Sequence, residues 1–191
     1  MLNRVLPKDL KVRESRKVSV EFHSRFCARD RFYRYSFYAG PQRPKLERYA
    51  YHLRKALSLS RMREAAVKLV GTHDYRVFTE ELDPGIENTV RTLYRATVWK
   101  EGQAIHFDVA GTAFLRGMMR RMAGAVLEVG LGRRPGEDIE ALLDPTRRDG
   151  LQWPVVLPAH GLTLMRVRYG PHPKDNRERD EELLEDTDVG C

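Results

Sequence analysis

VRTLYRATVWKEGQAIHFDVA, residues 90–110, carries two alternating runs on either side of a turn signal. Val90, Tyr94, Ala96 and Val98 alternate in the first run, and Ile105, Phe107 and Val109 in the second, with Lys100-Glu101-Gly102 between them. A period of two marks a half-buried strand, and so short a connection predicts an antiparallel hairpin. Upstream, RFYRYSFYA (31–39) puts Tyr33, Tyr35 and Phe37 on one face of a further strand, which Gly40, Pro41 and Pro44 end. LSLSRMREAAVKLVG (57–71) has Met62, Ala65, Ala66, Leu69 and Val70 at helical spacing, with Ser58 or Ser60 to cap its start and Gly71 to close it.

Downstream of the hairpin a helix is expected over roughly 112–130, then a shorter one in PGEDIEALLD, stopped by Asp144-Pro145. GLTLMRVRY reads as a last strand, with Leu162 and Leu164 on one face and Met165, Val167 and Tyr169 on the other. Strands, helix, hairpin, helices and strand in this order predict an α+β domain: an antiparallel sheet with helices packed on one face. The domain is expected to span residues 1–170, and residues 171–191, acidic and too polar to build a core, are expected to be a disordered tail.

The formal charge is +7, but residues 171–191 hold three basic and eight acidic side chains, a net of −5. That leaves 31 basic and 19 acidic side chains, a net of +12, on residues 1–170. A basic body of this kind suits a polyanionic partner, most simply nucleic acid; charge alone serves an arginine-rich soluble surface equally well. Two cysteines, Cys27 and Cys191, make a disulfide framework a poor fit, and a reducing cytoplasm is the expected setting.

AFLRGMMRRMAG, residues 113–124, is an unusual helix opening. Leu115, Met118, Met119, Met122, Val126 and Val129 make an apolar face, while Arg116 and Arg120 lie one turn apart beside Gly117 and Gly124. Each glycine costs about 1 kcal/mol against alanine inside a helix, so it has a packing or functional reason. One reason is a small-residue stripe that lets a neighbour come close. The other is a thin wall through which an arginine fork reaches a carboxylate or phosphate.

FHSRFCARDRFYRYSFY, GTHDYRVF, VRTLYRATVW, FLRGMMRRMAGAVLEVGLGRRP and PAHGLTLMRVRY occur in this order. As a set they resemble the C-terminal half of the tRNA pseudouridine synthase A family, over about Leu2 to Tyr169. That family isomerises uridines at the foot of the anticodon stem. The resemblance implies the C-terminal half of the pseudouridine synthase fold, a tRNA substrate bound at its anticodon stem-loop, a homodimer in the full-length enzyme, and no metal or organic cofactor. His23, His52, His73, His106, His160 and His172 show no metal-ligand spacing.

Carried over by motif, Tyr33 in FYRY matches the tyrosine that lies against the target uracil, with Tyr35 and Phe37 left to the core. Arg120 in MMRRMAG matches the arginine that orients the catalytic carboxylate, and Leu162 in HGLTL an apolar side chain lining the uracil pocket. The glycines would thin the helix so that Arg120 reaches the cleft. Arg116 and Arg121 are expected to face RNA phosphate, as are Arg25, Arg29 and Arg31 from their charge and location.

The family's nucleophilic aspartate sits in a Gly-Arg-Thr-Asp-Ala-Gly motif that these 191 residues do not contain. Asp74 in GTHD and Asp149 in TRRDG occupy the wrong places in the family order and are expected to be turn or capping residues. No catalytic nucleophile is therefore expected in this chain, and the isolated chain is expected to be inactive. The start at Met1 falls inside the family's continuous chain, which points to a truncated product or an internal start. The alternative is a non-catalytic tRNA-binding module that stands alone, against which an open sheet edge argues. A third possibility is a protein-binding domain with incidental basicity.

Overall fold

The computed structural model describes residues 2–40, 47–79, 82 and 88–170. The acidic segment 171–191 and the stop at Pro41 and Pro44 lie outside these residues. The elements are β1 (Ala28–Ala39), β2 (Tyr51–Leu53), α1 (Leu59–Lys68), β3 (Gly71–Asp74), β4 (Val90–Glu101), β5 (Ala104–Gly111), α2 (Met118–Gly130), α3 (Asp138–Leu143) and β6 (Leu162–Tyr169).

One sheet of six strands runs β2-β1-β5-β4-β3, with β6 also on β1. The expected hairpin is β4–β5, its turn narrowed to Gly102-Gln103 because Glu101 already pairs with Ala104. β5 lies antiparallel along one side of β1. The other side is shared: β6 pairs antiparallel with Ala28 to Tyr35, and β2 pairs parallel with Phe37 to Ala39. The α+β architecture with helices on one face of a largely antiparallel sheet is thus present, with one short parallel pair added.

The register explains what is buried. Tyr35 and Phe37 oppose Phe107 and Ile105 on β5, which in turn oppose Val98 and Lys100 on β4. Tyr35, Phe37, Phe107, Ile105 and Val98 join Met62, Ala65, Ala66 and Leu69 of α1 and Met118, Met122, Ala125 and Val126 of α2 in a single core. Each fully buried large apolar side chain contributes roughly 1.5–3 kcal/mol.

Three expectations need correction. In β4 the pairing shifts between Leu93 and Arg95, so Leu93, 1% exposed, enters the core instead of Tyr94. A bulge inserts one extra residue and changes which face the following residues meet. In β6 a second shift leaves Met165 between Leu164, opposite Tyr33, and Arg166, opposite Phe32. Val167 then opposes Arg31 and returns to the face of Leu164. Finally, α2 begins at Met118, not near residue 112, because Gly117 has φ of 72° and stands at the N-cap position. A left-handed residue cannot continue a right-handed helix.

Candidate active-site face

Tyr33, Tyr35 and Phe37 alternate with Phe32, Arg34 and Ser36 along β1. The first set faces the helical layer. Tyr35 is fully buried, and its hydroxyl donates to the Pro158 carbonyl at 2.7 Å. Burial pushes its phenol well above the ordinary tyrosine range, with Tyr51 adding to the rise and Arg120 opposing it. Tyr33 is only half-buried and meets Phe114 edge-on at 4.9 Å between centroids. Its phenol is also raised by burial, partly offset by Arg31.

Arg120 lies in the first turn of α2, close enough to Tyr35 to influence its ionisation. Its Nε donates to the Leu157 carbonyl at 2.5 Å, while the Leu157 N–H donates to the Arg120 carbonyl at 3.4 Å. This reciprocal pair fixes the arginine stem against the 154–158 segment. Leu162, partly buried, opposes Tyr35 across the β1–β6 pair, and Leu164 opposes Tyr33. Tyr35 therefore links the elements that carry all three residues: it shares a face with Tyr33, neighbours Arg120, and pairs with Leu162. Gly161 is needed beside it, since a Cβ there would stand 2.7 Å from Tyr35 Cζ.

Gly124 takes the packing role weighed for the stripe. A Cβ on it would collide with the carbonyl oxygen of Val155, so the 154–157 segment lies directly on α2 at that point. Gly117 lies outside the helix, and the picture of two glycines thinning one helical wall is corrected accordingly.

The arginines assigned to RNA have unequal surroundings. Arg29 is exposed on β1. Arg25 is exposed beside the Phe26 ring, 6.0 Å from its centroid. Arg116 is exposed just before α2, and its carbonyl accepts a hydrogen bond from the Thr79 hydroxyl. Arg31 donates to the carbonyls of Ala28, Thr112 and Arg25, joining the start of β1 to the segment after β5. Arg121 donates to the Pro154 carbonyl at 2.7 Å and stands beside Trp153. These last two bear structural hydrogen bonds that charge and position in sequence do not reveal.

Asp74 has the turn role expected of it. It accepts hydrogen bonds from the Arg76 N–H and the Thr89 hydroxyl and pairs with Arg148 at 2.9 Å. Burial raises its pKa, but these three partners together outweigh that and hold it below the usual carboxylate value. It borders a cavity of about 690 Å³ between β3, α1 and α3, at the sheet edge remote from β1.

On the opposite face of the sheet is a network that sequence reasoning missed. Asp108, fully buried, accepts two hydrogen bonds from Arg34 at 2.8 and 2.9 Å and one from the Trp99 indole at 2.9 Å. Trp99 also meets Arg34, 4.9 Å away, and His106, whose Nδ1 is 3.0 Å from the Ser36 hydroxyl. An acid among apolar residues of a strand, IHFDVA, was the available signal.

Known proteins match along most of this length. A family model described as tRNA pseudouridine synthase matches residues 65–170, just over half of the chain. The tRNA pseudouridine synthase A of Syntrophotalea carbinolica is 39% identical over 171 residues, 89% of this chain and 67% of that protein. That of Anoxybacillus flavithermus is 38% identical over 168 residues, covering 88% and 67%. That of Halalkalibacterium halodurans is 36% identical over 162 residues, covering 84% and 60%. The chain thus spans about two-thirds of the length of the relatives it matches, and the family model and these identities together place it in the tRNA pseudouridine synthase A family.

Proposed function

We propose that these 191 residues are the RNA-binding and partial active-site portion of a tRNA pseudouridine synthase acting on uridines of the anticodon stem-loop. In this reading two copies of the complete subunit hold one tRNA. The reaction breaks the N1–C1′ glycosidic bond, turns the uracil, and joins C5 to C1′; the proton on C5 is lost and N1 gains one. Tyr33 lies against the uracil, its ring offering a stacking surface and its hydroxyl a donor or acceptor. Arg120 orients the carboxylate that starts the rearrangement, and Leu162 lines the base pocket. Arg25, Arg29 and Arg116 meet phosphate, while Arg31 and Arg121 combine that contact with their backbone hydrogen bonds.

The observation that carries the reading is the junction at Tyr35. There a buried phenol, the Arg120 stem and the Leu162 strand are held together by the Pro158 and Leu157 carbonyls. Orientation of reacting groups is worth several kcal/mol only when the groups are held this firmly. The carboxylate itself lies in the Gly-Arg-Thr-Asp-Ala-Gly motif, which the 191 residues lack, so the chain alone carries no turnover.

The test is an enzyme reconstituted by adding a segment that bears that motif. Arg120→Ala is expected to abolish turnover with tRNA affinity nearly unchanged, and Arg116→Ala to weaken binding with turnover of bound tRNA kept. A large loss of binding at Arg120 with turnover retained would show the roles to be inverted.

A further inference from the structure

The segment from α3 to β6 carries Trp153, which is 42% exposed. An indole is the largest apolar side chain in proteins, and its packing does not account for leaving so much of it in water. Two guanidiniums stand over it. Arg76, from the single helical turn Arg76–Phe78, lies 5.7 Å from the ring centroid, and Arg121, from α2, lies 5.8 Å away. With Trp153 still 42% exposed beside these two cations, part of its surface remains open to a further partner.

The two charges are not balanced locally. Among the described residues neither Arg76 nor Arg121 forms an ion pair, and the buried Arg121 Nε has no hydrogen-bond partner. Two cations beside one aromatic ring make a locally positive surface that favours an anion. A group that is both flat and anionic satisfies the ring and the charges together. A nucleotide is such a group, its base stacking on an indole and its phosphate taking charge-assisted hydrogen bonds from arginine.

We propose that Trp153, Arg76 and Arg121 form an RNA contact in which an unpaired base stacks on the indole and its phosphate accepts hydrogen bonds from the neighbouring guanidiniums. Arg121 follows Arg120 on α2, so this contact borders the proposed active-site face and rests on the RNA reading above. It adds Trp153 and Arg76 to the phosphate role already given to Arg121 and makes of the three a nucleotide-sized anchor.

The experiment titrates the 191-residue chain with tRNA, following filter binding and tryptophan fluorescence together. Trp99 and Trp153 are the two indoles, so Trp153→Phe assigns the signal. Wild type is expected to show saturable quenching. Trp153→Ala should remove that quenching and weaken binding by roughly five- to 150-fold, the range that base–aromatic stacking spans on alanine substitution. Trp153→Phe should lose the quenching but keep most of the affinity, and Arg76→Ala should lower the salt slope by about one. Thermal melting checks that each variant is folded. Binding within two-fold of wild type by Trp153→Ala overturns this contact and leaves the RNA reading standing. No tRNA binding by wild type, or tighter binding to polyglutamate than to tRNA, overturns both.

Discussion

Replacing Gly124 with alanine adds one methyl group near the middle of α2, and the sign of its effect depends on what lies above. In an open helix the change is favourable: alanine is better than glycine by about 1 kcal/mol, and a buried methyl adds about 0.8 kcal/mol. Here the added Cβ would strike the Val155 carbonyl oxygen and stand 3.1 Å from the carbonyl carbon and 3.2 Å from Cγ2. The first two are backbone atoms of a segment that α2 itself holds, through Arg120 to Leu157 and Arg121 to Pro154. Relief requires moving that segment. Overpacking costs about 1–3 kcal/mol, and each weakened hydrogen bond from a charged donor about 1.5–3 kcal/mol. The net expectation is a destabilisation of about 1–3 kcal/mol, or a Tm lower by about 2–12 °C for a chain of this size. Thermal unfolding followed by circular dichroism measures it. A Tm equal to or above wild type would refute the reasoning, because it would mean that the segment yields freely and does not fix Arg120.

The other expectations concern the opposite face. Asp108→Ala leaves the Arg34 guanidinium without its partner in a site where the carboxylate was fully buried, and should cost about 3–5 kcal/mol in urea denaturation. The Arg34→Ala, Asp108→Ala double variant should lose clearly less than the two single losses added, and simple additivity would show the pair to be uncoupled. His106 is held below its ordinary pKa by burial and by Arg34, against the pull of Asp108 and Glu101. The unfolded chain therefore takes up this proton first, so the contribution is complete above about pH 6.5 and declines as pH falls through that value toward the folded pKa. His106→Gln should flatten that part of the stability curve, and parallel curves for variant and wild type between about pH 7 and pH 5 would contradict the assignment.

The parts legible in sequence were those written in periodicity. The β4–β5 hairpin and α1 follow from alternation and from apolar spacing of three and four, and Ser58 does stand at the N-cap of α1, although its hydroxyl meets Ser60 Oγ and caps nothing. β2 and β3, of three and four residues, are too short to show a period. The bulges near Tyr94 and Met165 are set by strand pairing and leave no local mark. The start of α2 was misplaced because residues 113–116 do not interrupt a helical pattern, and a glycine at 117 shows the break only through its φ. Of the site, motif likeness selected Tyr33, Arg120 and Leu162, but the part played by Tyr35 depends on a carbonyl 123 residues away. Nor does charge separate an arginine that meets solvent, such as Arg29, from one engaged with backbone, such as Arg31.

The most direct test of the central claim is tritium release from tRNA labelled at C5 of uridine, because forming the C5–C1′ bond expels that hydrogen. The account predicts no release by the 191-residue chain alone and release once a segment bearing the Gly-Arg-Thr-Asp-Ala-Gly motif is added, abolished again by Arg120→Ala. Release by the chain alone would contradict it, since a carboxylate within these residues would then be starting the reaction.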